Sequence, residues 1–266
     1  MANLSIRMYS DCLKRSVTFQ MIIPNDPRPE IPLATPAEDG TAKAAGGMKT
    51  LFLLHGYTGD SWNWVPEELA AQYNFAIVIP SGENGFWIDG QSTGHAFGRF
   101  LGEELVAYIR KTFGLAKTKE ETYVMGFSMG GFGALHAALK YPDTFGKVAA
   151  WSSALIVHEV AGMTPGYDNG VANYEYYREC FGEPAEVLES DKNPETLVRK
   201  LKEAGKGFPE IIMACGTEDF LIERNRELHR FLEQQGVAHE YWEDTGIHDM
   251  IFWSKCVQKY VPVLFG

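Results

Sequence analysis

Five consecutive residues, Gly126-Phe127-Ser128-Met129-Gly130, carry the sharpest chemical signal in the chain. They match G-x-S-x-G, the pattern of a strand that turns abruptly into a helix and lifts a serine hydroxyl above a sheet, with small residues letting the chain approach itself. The flanks suit that turn: the apolar run TYVMGF ends at 127, and GFGALHAALK continues with helical spacing until Pro142. The chemistry on offer is nucleophilic attack by Ser128. The helix that follows points its free N-terminal amides at the same spot, so the N–H of Met129 is the first candidate donor to an oxyanion.

A serine hydroxyl is a weak nucleophile near neutral pH and needs a base within hydrogen-bond reach, itself oriented by a third group. Where the serine sits on such an elbow, the chain order is Ser, then Asp or Glu, then His. Downstream lie His136, His158, His229, His239 and His248. His136 and His229 fall within helical stretches, His158 in an aromatic-rich insertion, and His239 at the beginning of a strand, the wrong end for a site built on carboxyl edges. His248, in TGIHDM, follows the last strand and precedes the closing helix, where a loop can carry it back over the sheet. The acid is expected after EIIMACG, where Glu218 and Asp219 both qualify, whereas Asp244 and Asp249 read as surface neighbours of His248. A second oxyanion amide is expected after the first buried strand, in His55-Gly56-Tyr57, from the backbone of Tyr57.

These residues need a scaffold, and the apolar runs supply one. TLFLLHG (50 to 56), FAIVIP (75 to 80), TYVMGF (122 to 127), KVAAWS (147 to 152) and EIIMACG (210 to 216) are short and continuous, as parallel strands buried on both faces are; HEYWE (239 to 243) is weaker. Two earlier strands are expected around Leu4 to Met8 and Ser16 to Ile23, followed by an exposed loop over 25 to 49 rich in Pro, Ala and Gly. Phe97, Phe100, Leu101, Leu105, Tyr108 and Ile109 form one apolar helical stripe, and Leu221, Leu228, Phe231 and Leu232 another. Alternating strand and helix predicts an α/β fold with a mostly parallel central sheet and helices on both faces. Residues 153 to 205 break the rhythm with Tyr174, Tyr176, Tyr177 and Phe181, and read as a small cap insertion within a single domain spanning 1 to 266.

The bulk numbers narrow the functions. At 266 residues, 45% hydrophobic and 22% charged, the chain is of globular composition. Its formal net charge of −11 argues against nucleic acid, whose binding draws on Lys and Arg. No run of roughly 18 apolar residues marks a membrane span and no signal-type stretch opens the chain, so the expected location is cytoplasmic. Cys12, Cys180, Cys215 and Cys256 form no C-x-x-C pair, which leaves metal and redox motifs without support and predicts reduced, mostly buried thiols. The expected partner is a small-molecule ester; a homo-oligomer stays open.

The stretches LFLLHGYTGD, GFSMGGFGAL, CGTEDFL and TGIHDMIFW, with RSVTFQMIIP and SGENGFWID, resemble the esterase D and tributyrin esterase branch of the α/β-hydrolase fold, which is related to family 1 acetyl and feruloyl esterases. The resemblance covers the chain nearly end to end. It implies Ser128 as nucleophile, Asp219 as acid, His248 as base, Tyr57 and Met129 as oxyanion amides, and cofactor-free hydrolysis of short-chain acyl esters through an acyl-enzyme. Acetyl or feruloyl esters of plant polysaccharide fragments are the alternative. S-formylglutathione hydrolase is a sister activity, but the cysteine usual after its oxyanion-loop glycine is missing from HGYTGD. Trp62, Trp64, Phe86 and Trp87 lie just past two strand ends, where aromatic rings can stack on a sugar or a cinnamoyl group or pack the loops; Trp62 and Trp87 are the candidate substrate contacts.

Overall fold

The computed structural model describes residues 1–24 and 47–266. Among the described residues eight strands form one sheet: β1 (Ala2–Ser10), β2 (Arg15–Ile23), β3 (Lys49–Leu54), β4 (Phe75–Ile79), β5 (Thr122–Phe127), β6 (Lys147–Trp151), β7 (Glu210–Gly216) and β8 (His239–Asp244), in the order β1-β2-β4-β3-β5-β6-β7-β8. β1 and β2 form an antiparallel hairpin, β2 pairs antiparallel with β4, and every later pairing is parallel. The expected α/β architecture is therefore present. The loop expected over 25 to 49 lies outside the described residues except for its last three, of which Lys49 opens β3.

Burial explains the patterns. β3, β4 and β5 are covered on both sides, so successive residues feed two different cores. Phe52, Leu54, Val78 and Val124 face a cluster with Phe100, Leu105, Phe132 and Leu135, while Leu51, Leu53, Ile77 and Met125 face Trp253, Val257, Val261 and Phe265. Each such side chain contributes about 1.5–3 kcal/mol by leaving water. β8, on the sheet edge, is only half-buried, which is why its sequence reads as the weakest strand.

The helices are α1 (Glu67–Gln72), α2 (Phe97–Arg99), α3 (Val106–Phe113), α4 (Met129–Lys140), α5 (Val157–Ala161), α6 (Tyr174–Phe181), α7 (Pro194–Glu203), α8 (Ile222–Gln234) and α9 (Met250–Phe265). The stripe that began at Phe97 is one continuous helical segment whose middle, Phe100–Leu105, is wound as a π-helix. There Gly102 lies against the Tyr141 ring so closely that a Cβ would sit 2.2 Å from it, a tertiary contact that local spacing does not encode. Within the insertion, Leu197, Val198 and Leu201 of α7 join the cluster containing Phe132 and Leu135 of α4, and the imidazole Nε2 of His136 lies 2.9 Å from the carbonyl of Asp191. The parallel strands all end on one edge, and the loops leaving that edge carry Ser128, Asp219 and His248.

Candidate active site

The elbow is tighter than a common turn. Ser128 has φ 56° and ψ −122°, a conformation that costs a non-glycine residue of the order of 1–3 kcal/mol and persists only where the surroundings hold it. They do so here through three main-chain bonds: Ser128 N–H donates to Trp151 O at 2.9 Å, and its carbonyl accepts from Phe132 and Ala154 at 3.0 and 2.9 Å. The motif glycines are needed sterically. A Cβ on Gly126 would lie 2.1 Å from Gly130 O, and one on Gly130 would lie 2.4 Å from Leu54 O.

Above the elbow, the residues expected from sequence meet. His248 Nε2 lies 2.9 Å from Ser128 Oγ, and His248 Nδ1 lies 2.9 Å from Asp219 Oδ2. With Nδ1–H donating to the carboxylate, Nε2 is left as acceptor for the serine proton. Asp219 is 2% exposed. Burial alone would raise its carboxyl, but hydrogen bonds from His248, the Leu221 amide and Ser152 outweigh it and hold the group below its ordinary value. A buried carboxylate that stays ionised keeps the imidazole in one tautomer.

The loops carrying acid and imidazole are laced together: Thr217 N–H donates to Asp244 O and Glu218 N–H to Gly246 O, at 2.9 and 3.0 Å. Glu218, the other candidate acid, turns away from the imidazole and accepts from Gly246 N–H at 2.8 Å. It holds the histidine loop from outside. Asp249 caps α9 by accepting from Phe252 N–H at 2.9 Å, and Asp244 accepts from Thr245 N–H, so neither competes for His248.

Sequence reasoning missed Ser152. Its φ is 45°, it is fully buried, and its hydroxyl helps hold the Asp219 carboxyl below its ordinary value while accepting from Trp253 Nε1–H at 3.0 Å. The Trp253 ring stands edge-on to His248 at 5.0 Å and stacks on Phe127 at 4.1 Å. The available signal was strand order: β6 lies between β5 and β7, so whatever follows it must sit between serine and acid.

The loop after β3 runs beside the elbow, since a Cβ on Gly56 would lie 3.3 Å from Ser128 Cβ. His55 is buried and, as expected, structural. Its Nδ1 lies 2.7 Å from Gly56 O and its Nε2 accepts from Gly82 N–H at 2.9 Å. Burial lowers its pKa, which keeps it neutral in that arrangement. Anchoring Gly56 O orients the Gly56–Tyr57 peptide, whose N–H points the opposite way. Among the described residues, neither Tyr57 N–H nor Met129 N–H donates to a protein acceptor.

The aromatic residues divide. Trp62 is 43% exposed and meets Phe127 edge-on at 6.5 Å. Trp87, expected to contact substrate, is instead fully buried: its indole N–H donates to His55 O at 3.2 Å and its ring packs between Gly82 and Gly133. It offers no surface to a ligand, because the loop after β4 turns the ring inward beneath the loop that follows β3. Phe86 and Trp64 are buried as well, whereas Phe220, not singled out from sequence, is 77% exposed and lies 4.6 Å from the His248 ring. Among the described residues no cluster of three or more His, Cys, Asp or Glu side chains is placed to hold a metal ion, and no helix is long and apolar enough to cross a membrane.

Sheet order and elbow place the chain among the α/β-hydrolase enzymes, and comparison with known proteins narrows the class. The Esterase family model matches residues 13–258, and the chain belongs to that family of ester hydrolases. It is 40% identical over 261 residues to an acetyl esterase of Caldicellulosiruptor saccharolyticus, covering 97% of this chain and 96% of that protein. Two solved Staphylococcus aureus structures share the fold at 22% identity. The fluorophosphonate-binding serine hydrolase FphF has a TM-score of 0.81 over 100% of this chain and 98% of its own. The S-formylglutathione hydrolase FrmB has a TM-score of 0.79 over 100% and 99%.

Proposed function

We propose that the chain is a serine carboxylesterase for short acyl groups, acetyl foremost, with Ser128 as nucleophile, His248 as general base and acid, Asp219 as the orienting carboxylate, and the amides of Tyr57 and Met129 as oxyanion donors. The observation that carries this reading is the hydrogen-bonded series Asp219–His248–Ser128, with both contacts at 2.9 Å. The acetyl esterase relative, aligned over 97% of the chain, supports the acyl group.

In this mechanism Ser128 Oγ attacks the ester carbonyl as its proton passes to His248 Nε2. The carbonyl oxygen takes up negative charge facing the two amides. Collapse expels the alcohol, which receives the proton from His248. Water then gives a proton to the same nitrogen as its oxygen attacks the acyl-serine, and collapse of that intermediate releases the carboxylic acid while His248 returns the proton to Ser128 Oγ. One lost oxyanion donor costs about 3 kcal/mol in such a transition state.

On para-nitrophenyl acetate and butyrate, Ser128→Ala is expected to lower kcat by on the order of 10⁴-fold or more with the fold intact. It should also abolish labelling by a fluorophosphonate. Turnover near that of the wild type would remove Ser128 from the mechanism. An aromatic acyl group such as feruloyl is the second reading, favoured by the half-exposed Trp62 beside Phe127; hydrolysis of methyl ferulate against aryl acetate separates the two.

The same reading takes the chain as one catalytic domain, with residues 153–205 as a cap contributing Tyr176 and Tyr177 near the oxyanion loop. It takes the location as cytoplasmic, supported by four free cysteines.

A further inference from the structure

We infer that Asn84 is a positioning residue for the oxyanion-binding turn, locking that turn to helix α6 of the insertion. The inference rests on the esterase reading above and adds a residue outside the serine, histidine and acid.

Residues 56–59 close a β-turn, with Gly59 N–H donating to Gly56 O at 3.0 Å, and Tyr57 and Thr58 occupy its two central positions. Thr58 has φ 61°. A left-handed residue at the second central position is what a type II turn requires, and glycine is favoured there; a β-branched threonine is unfavourable. Left to itself, the turn would relax by flipping the Tyr57–Thr58 peptide, which reverses the direction of Thr58 N–H. That N–H donates to Asn84 Oδ1 at 2.8 Å, so Asn84 holds the peptide in its unfavoured orientation. Tyr57, whose own N–H faces the reacting oxygen, is the residue such a flip would displace.

Asn84 is itself gripped from the insertion. Its main-chain carbonyl accepts from the Tyr176 hydroxyl and, at 3.7 Å, from Cys180 Sγ, both on α6. The Tyr176 ring also meets the Tyr57 ring edge-on at 5.8 Å, and the Tyr57 hydroxyl reaches Val171 O at 3.5 Å. Burial drives the Tyr176 phenol far above its usual range, so it remains a donor. The turn, through the Asn84 side chain, and α6, through its main-chain carbonyl, thus converge on one half-buried residue, and the position of α6 is transmitted to the turn that presents Tyr57 N–H.

The test compares wild type, Asn84→Ala and Tyr176→Phe for kcat and KM on para-nitrophenyl acetate, for the rate of fluorophosphonate labelling of Ser128, and for thermal midpoint. Misplacing an oxyanion donor without removing it is expected to cost about tenfold or more in kcat for Asn84→Ala, with KM within about threefold. Labelling should slow in the same proportion, because the phosphonyl oxygen needs the same amides. Tyr176→Phe should lose about threefold by the same signature. A folded Asn84→Ala with wild-type kcat and labelling rate, or with a raised KM alone, overturns the inference. Should Asn84→Ala not fold, Asn84→Leu, close in size and lacking an acceptor, is judged by the same two rates. An enzyme inactive on every ester, or active without Ser128, fails the esterase reading. Full activity in the Asn84 variants beside a dead Ser128→Ala fails this inference alone.

Discussion

The hydroxyl of Ser152 serves two groups on which the imidazole depends: it helps hold the Asp219 carboxyl below its ordinary value and accepts from Trp253 Nε1–H at 3.0 Å. Ser152→Ala would remove one of the influences that offset burial of the acid and leave an indole N–H unpaired in a dry site. Such a loss costs about 1–3 kcal/mol of stability. The Asp219 carboxyl should rise toward its ordinary value, and kcat fall roughly tenfold as the ring loses its fixed tautomer. Urea titration read with a pH–rate profile checks both, and an unchanged profile would make Ser152 a packing residue only. Ser128, Asp219 and His248 were legible because an elbow motif, a strand end and a chain order each restrict the choice. Ser152 carries no such mark, since the pair Ser152-Ser153 resembles any strand end. Trp87 misled for a related reason: distance past a strand end places a residue at the edge, whereas the turn from Gly82 to Gly85 decides which way its ring faces.

At the level of elements, the contact between α4 and β3 joins Ser128 and the loop over 55–59 into one unit. Gly130 sits where a Cβ would lie 2.4 Å from Leu54 O and 2.6 Å from His55 O, all main-chain atoms that cannot swing aside. Gly130→Ala is therefore expected to push helix and strand apart, costing about 1–3 kcal/mol or more by overpacking. Because the displaced carbonyls belong to the residues before Tyr57, activity should fall further than stability implies. Comparing fluorophosphonate labelling with the denaturation midpoint separates the two effects, and labelling at the wild-type rate would show the contact to be tolerant. The strands were readable to within a few residues because burial on both faces writes a continuous apolar run. The π-helical turn in Phe100–Leu105 was not, since the helical stripe is the same whether the pitch is regular or locally widened, and the widening coincides with the Tyr141 ring over Gly102.

Over the whole molecule, His136 joins the insertion to the catalytic sheet and gives the fold a pH dependence of its own. It lies fully buried on α4, its ring stacked near Phe132 at 6.1 Å, with Nε2–H donating to Asp191 O; among the described residues Nδ1 has no partner. Burial, assisted by the charge of Lys140 and opposed by Asp191 and Asp89, lowers its pKa to about 4. An unfolded histidine titrates near ~6.5, so the unfolded chain takes up the proton first as the solution becomes acidic. The stabilisation is therefore complete above that value and drains away between about 6.5 and about 4, by on the order of 2 kcal/mol at pH 4.5. Carboxylates contribute to acid sensitivity too, but they are common to wild type and His136→Gln, a variant that keeps an N–H for Asp191 and cannot titrate. The difference in unfolding free energy between pH 7 and 4.5 should thus be larger in wild type than in His136→Gln. Equal slopes would mean that the ring protonates as readily folded as unfolded, and that the junction between α4 and the insertion opens to water.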